Sequence, residues 1–231
     1  RRPVMDILTE RFPRSMELAA LTLVIAVVWA VPLGVVSAVR QNGPLDYLAR
    51  LISLSGLSLP LFFTGALILY GLVRFFRWLP PLEFVSFTEN PLENLKQLIW
   101  PALAQAYYIS APITRLTRSQ MLEVIRHDYV RTARAKGLAE RAVVYRHALK
   151  NALLPVVTFV GWWGGRLLGG LVIMEIIFVV PGMGIALVQA VSQRDYPTIQ
   201  AMVFVMALVF LLVNLVIDLL YAWLDPRIRY A

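Results

Sequence analysis

Five stretches of this chain are apolar enough, and long or nearly long enough, to cross a lipid bilayer; this limits its fold more than any other feature. A helix needs roughly 20 apolar residues to span ~30 Å of hydrocarbon. The stretches cover about residues 16–39, 51–73, 98–114, 152–179 and 199–224. The third is the shortest, bracketed by Pro101 and Pro112. Backbone polar groups in lipid must be satisfied within the protein, so the expected fold is an all-α, polytopic transmembrane helical bundle. Pro32, Pro60 and Gly65 fall inside these spans; such residues are tolerated where neighbouring helices satisfy the freed backbone groups. With 59% hydrophobic and 16% charged residues, the chain is too apolar for an ordinary soluble domain. It has no cysteine, which excludes disulfides and thiolate metal sites.

The formal net charge is +8. Nucleic-acid binding is disfavoured because the charges flank the spans, as topology control requires. One set of loops holds Arg40, Arg50, the block Arg115, Arg118, Arg126, Arg131, Arg134, Lys136, Arg141, Arg146 and Lys150, then Arg227 and Arg229. The other holds Arg1, Arg2, Arg11, Arg14, Arg74, Arg77, Lys96 and Arg194, with more acids to offset it. The positive-inside rule then places the loop at about 115–151 and the tail 225–231 in the cytoplasm, and residues 1–15 outside. The opening RRPVMDILTERFPRS has no initiator methionine and no signal-peptide core. A chain starting outside without such a signal is expected to follow an earlier helix, giving six in all.

The basic loop is patterned. Tyr129, Ala133 and Lys136 recur at helical spacing, as do Val144, Ala148 and Leu149. Gly137 can adopt a positive φ at low cost and suits a break between two short helices. From the residues alone, the loop is either a docking surface or a solvated segment that only sets topology. His127 and His147 both fall in it and suit solvated or interface roles better than metal ligation.

Within the spans, Gly161, Gly165 and Gly169 form a small-residue stripe that lets another helix approach closely. Pro181, Gly182 and Gly184 are expected to form the turn that ends the fourth span. Three charges also fall inside spans, where they usually face a cavity or a partner. At 1.5 Å per residue, Arg166 lies about 21 Å into its span, near mid-membrane, and Glu175 about 35 Å along, at the outer interface. Asp218 lies within about 10 Å of the inner end of the last span and shares a helical face with Asn214. Arg166, with Trp162, Asn214 and Asp218, is a candidate for a translocation path; the alternative for Arg166 is an interhelical contact with Asn214 or a backbone carbonyl.

The segments YVRTARAKGL and RHALKNALLPVVT resemble the "EAA" loop of type I ABC importer permeases, most closely the dipeptide, oligopeptide and nickel branch. GGRLLGGLVIMEIIFVVPGMG, RDYPTIQ, LDPRIRY, QNGPLDY and SGLSLPLFF extend the likeness over nearly the whole chain. The resemblance implies one type-1 permease domain over 16–224, in a bacterial or archaeal cytoplasmic membrane. It implies a coupling helix at Thr132, Ala133, Arg134, Ala135, Lys136, Gly137 and Leu138, flanked by Tyr129 and Arg131, that docks on an ATPase subunit. Arg131 and Thr132 stand where many members carry Glu-Ala, and Gly137 is farther from Pro155 than in sugar importers; both departures suit the peptide branch. Its implied partners are a second homologous permease in a heterodimer, two ATP-binding subunits, an extracytoplasmic solute-binding protein and membrane lipid. ATP and magnesium would be used by those subunits and no cofactor by this chain, which has no G-x-x-x-x-G-K-[ST] loop, HExxH or G-x-S-x-G. Peptides are the expected cargo, with nickel chelates or glutathione as alternatives. A channel or secondary transporter is the rival from another class.

Overall fold

The computed structural model describes residues 3–81 and 83–224, with the side chains of 218 and 220–224 left undescribed. No strand occurs among the described residues. The helices run α1 (Val4–Val39), α2 (Pro44–Ser58), α3 (Leu61–Phe76), α4 (Pro91–Ile125), α5 (Asp128–Ala135), α6 (Glu140–Ala142), α7 (Leu149–Gly170), α8 (Val172–Ile177), α9 (Met183–Ser192) and α10 (Tyr196–Leu224). A π-helical stretch, Val143–Ala148, joins α6 to α7. The tail 225–231, with Arg227 and Arg229, lies outside the described residues.

Several spans differ from the sequence expectation. The first helix begins at Val4, well ahead of residue 16, and continues through Pro13 and Pro32. The second span is broken: α2 and α3 meet at 104°. Pro60 is the cause, because a residue before proline is pushed out of the α region, and Leu59 is extended at φ −90° and ψ 132°. Pro60 therefore caps α3 and does not lie within a helix. The third span is a 35-residue helix that Pro101 and Pro112 leave unbroken. Asn90 starts it, accepting hydrogen bonds from the Leu92 and Glu93 amides, with Pro91 in the first turn. The fourth span ends at Gly170, and α8 follows after Leu171.

The helix α4 is central, packed against α1, α2, α3 and α7. Its polar residues Asn94, Gln97, Gln105, Ser110, Thr114 and Thr117 are buried in protein, not exposed to lipid. That position explains why its sequence reads as the least membrane-like of the long helices. Three helical stretches are apolar and long enough to cross a membrane, Val4–Val39, Glu140–Gly170 and Tyr196–Ile217. The bent pair makes a fourth if it counts as one span. The main core joins Leu18, Ala26 and Ala30 of α1 to Leu98, Ile109 and Ile113 of α4 and Leu167 and Leu168 of α7. A second cluster ties the basic loop to the bundle: Val130, Ala133, Val143, Val144 and Ala148 pack on Val35, Ala38, Met121 and Val124.

Candidate functional sites: a docking helix and a membrane cleft

The short helix α5 is held from one side and open on the other. Val130 is fully buried and Ala133 is 6% exposed, while Arg131, Thr132, Arg134, Ala135 and Lys136 are exposed. The inward face is thus Val130 and Ala133; of the residues grouped by spacing, Tyr129 and Lys136 lie outside it. The Tyr129 ring stacks on His127, and its hydroxyl accepts a hydrogen bond from Asn151 Nδ2 at 2.7 Å, linking α5 to the start of α7. Gly137 has φ +75°. Its amide donates to the Arg134 carbonyl at 2.9 Å and the Leu138 amide to the Ala133 carbonyl at 3.4 Å. This pairing satisfies the last carbonyls of a helix around a left-handed residue. A Cβ at Gly137 would meet nothing within 4 Å, so backbone conformation alone calls for glycine there. Across the turn, Arg134 donates to both Glu140 carboxylate oxygens, at 3.1 and 2.7 Å. That guanidinium lowers the Glu140 pKa from its ordinary value.

Two buried carboxylates organise the framework, and sequence reasoning singled out only one of them. Asp46, fully buried, receives Arg118 Nε at 2.9 Å and Nη2 at 2.8 Å. The Ser37 hydroxyl and the Asn42 amide also donate to it, and Arg50 Nε stands 3.4 Å away. One side chain thereby joins the ends of α1, α2 and α4 nearest the basic loop. The only sequence signal was its place in QNGPLDY. Glu175 is 1% exposed, buried within the protein. It accepts from Ser15 Oγ at 2.6 Å and from the Ile185 amide at 3.1 Å, while Ser15 Oγ accepts from the Met183 amide at 2.8 Å. The pair caps the first turn of α9, satisfying amides that have no helical partner. The turn after α8 falls on Phe178 and Val179; Pro181 and Gly182 lie between it and α9, and Gly184 belongs to α9. A Cβ at Gly184 would meet the Val172 backbone at 2.7 Å.

The glycine stripe divides. Cβ atoms at Gly161 and Gly165 would run into Ile217 and Phe210 of α10, but one at Gly169 would meet nothing within 4 Å. Gly169 instead lines a cleft of about 1030 Å³. The α2–α3 bend, Gln105 and Tyr108 of α4, Trp162 to Gly170 of α7, and Val203 to Phe210 of α10 enclose it. Trp162 and Arg166 both line it; the Arg166 guanidinium carbon lies 4.6 Å from the Trp162 ring centre. Trp163 meets Trp162 and Tyr108 edge to face. Among the described residues no carboxylate pairs with Arg166 and no hydrogen bond joins it to Asn214. Asn214 is half-buried and outside the lining of the cleft. The Asp218 side chain lies outside the described residues. No group of His, Cys, Asp or Glu among them could hold a metal ion.

The family model for "Binding-protein-dependent transport system inner membrane component" matches residues 30–230. A dipeptide transport system permease protein of Alkalihalophilus pseudofirmus is 39% identical, over 99% of this chain and 75% of that protein. An oligopeptide transport system permease protein of Bacillus subtilis is 39% identical, over 99% and 73%. A glutathione transport system permease protein of Escherichia coli strain K12 is 40% identical, over 100% and 72%. Among solved structures, an inward-facing methionine ABC transporter superposes with a TM-score of 0.75 at 16% identity, covering 97% of this chain and 99% of that one. An amino acid ABC transporter gives 0.70 at 15% identity, covering 94% of each. These structural likenesses speak for the fold. The full-length relatives and the matched model speak for descent: the chain belongs to the binding-protein-dependent transport system inner membrane components, and is a multi-pass permease subunit of ABC importers, not an enzyme.

Proposed function

We propose that this chain forms half of the pathway of a peptide importer and receives the power stroke through α5 and Gly137. A second homologous permease forms the other half, two ATP-binding subunits bind and hydrolyse magnesium–ATP, and an extracytoplasmic protein delivers the solute. The basic loop and the C-terminus face the cytoplasm. What supports the coupling role is the construction of α5: Val130 and Ala133 fix it to the ends of α1 and α4, while its charged residues are exposed. A push on that face would reach α4 and α7 directly. What supports a peptide cargo is the naming of the relatives; glutathione, or a nickel complex, is the second reading.

The test is co-purification from detergent-solubilised membranes, wild type against Gly137→Pro. Proline fixes φ near −65° and has no N–H, so it removes both the left-handed turn and the bond to Arg134. An ATPase recovered with wild type and lost with the variant is the expected result. No ATPase with either protein, or an ATPase with both, would contradict coupling through α5 and Gly137.

A further inference from the structure

The cleft beside the α2–α3 bend carries charge of one sign. Arg166 is the only charged side chain among the described residues that line it. Its guanidinium rests on Trp162 and has no hydrogen bond or ion pair among the described residues, so its in-plane donors are free. Gln105 of α4 faces the same space. It is 3% exposed, its Oε1 has no partner, and its Nε2 lies 3.6 Å from where a Gly170 Cβ would stand. The Trp163 Nε1 is likewise buried without a partner. Leaving such groups unpaired is costly, so this arrangement favours a state in which a ligand or a rotated side chain satisfies them. Much of the remaining wall is aromatic, from Tyr108, Trp162, Trp163 and Phe210, with aliphatic Leu57, Ile173 and Val203.

We propose that this cleft is a selective site for the carboxylate end of a small peptide, with Arg166 and the Trp163 indole N–H as donors to it, Gln105 Oε1 accepting from a peptide N–H, and the aromatic wall for an apolar side chain. It rests on the reading of the chain as a peptide permease and adds a consequence. Among the described residues the cleft presents one guanidinium and no carboxylate, which disfavours a bare divalent cation beside it. Among the described residues Arg166 has no hydrogen-bond or ion-pair partner, and Gly170 adds no Cβ to the space opposite Gln105.

These 231 residues hold no cysteine, and any in the rest of the transporter are replaced first. A single cysteine at Ala207, a small exposed residue on the rim, is introduced into the complete purified transporter. Its rates of reaction with anionic ethylsulfonate and cationic ethyltrimethylammonium methanethiosulfonates are compared. The anion-to-cation ratio should fall about tenfold in Arg166→Gln, the scale expected for one charge close by in a partly shielded cleft. Arg166→Lys should restore it. An unchanged ratio in Arg166→Gln overturns the proposal. Alanyl-phenylalanine should protect the cysteine while its C-terminal amide should not; equal protection by both overturns carboxylate recognition. If the charge ratio behaves as expected but neither peptide protects, the anion site stands and the peptide reading of the transporter falls.

Discussion

Asp46 joins the ends of α1, α2 and α4 nearest the basic loop. Removing one partner of a buried ion pair leaves the other uncompensated, at about 3–5 kcal/mol. Arg118 is 21% exposed and keeps some water, so Asp46→Ala should cost about 3 kcal/mol, the lower end of that range. It should read as a clear fall in the apparent melting temperature in detergent. Arg118→Met in the same chain should recover part of the loss, because it removes the stranded charge. Equal stability of wild type and Asp46→Ala would refute the role. Neither Asp46 nor the capping role of Glu175 was legible in the sequence. Asp46 and Arg118 are 72 residues apart, and Ser15 and Glu175 are 160 apart. Local pattern reports neither proximity. Arg166 was legible because an unpaired charge in an apolar run stands out without a partner.

At the scale of elements, the sequence located the apolar helices better than it located their breaks. Pro60 breaks its span, while Pro13, Pro32, Pro101, Pro112 and Pro155 sit inside continuous helices. All six look alike in sequence; tertiary packing decides which freed carbonyls find partners. The turn after α5 was legible because Gly137 carries its own conformational signal. The Arg134–Glu140 pair closes that turn, and its pH dependence has a definite sign. The folded pKa of Glu140 is lowered, so its contribution is present above the ordinary carboxylate range and is lost as pH falls through the folded value. Both side chains are well exposed, at 39% and 55%, so screening keeps the pair near ~0.5 kcal/mol. Glu140→Gln should therefore speed amide exchange at Lys136 and Gly137 about twofold at pH 7. The difference should shrink at high salt and vanish in acid. A pH-independent difference would mean that the pair does not hold the turn.

As a whole molecule, the chain is a bundle with a central polar-lined α4, a short exposed helix at one end and a cleft holding one guanidinium beside a broken helix. Its outermost helix, α10, is only 6% buried over its apolar window, leaving a broad face for lipid or a second permease. The family was legible in sequence because the loop and its flanking motifs are contiguous; the cleft was not, because four separated segments build it. The proposal that α5 is where an ATPase binds can be tested by geometry. A benzophenone attached to a lone cysteine at Arg131 should cross-link to the ATP-binding subunit in the purified complex. The same probe at Tyr196, an exposed residue at the start of α10, should not. An adduct from Tyr196 with none from Arg131 would contradict the coupling role of α5 and reverse the assignment of the two ends.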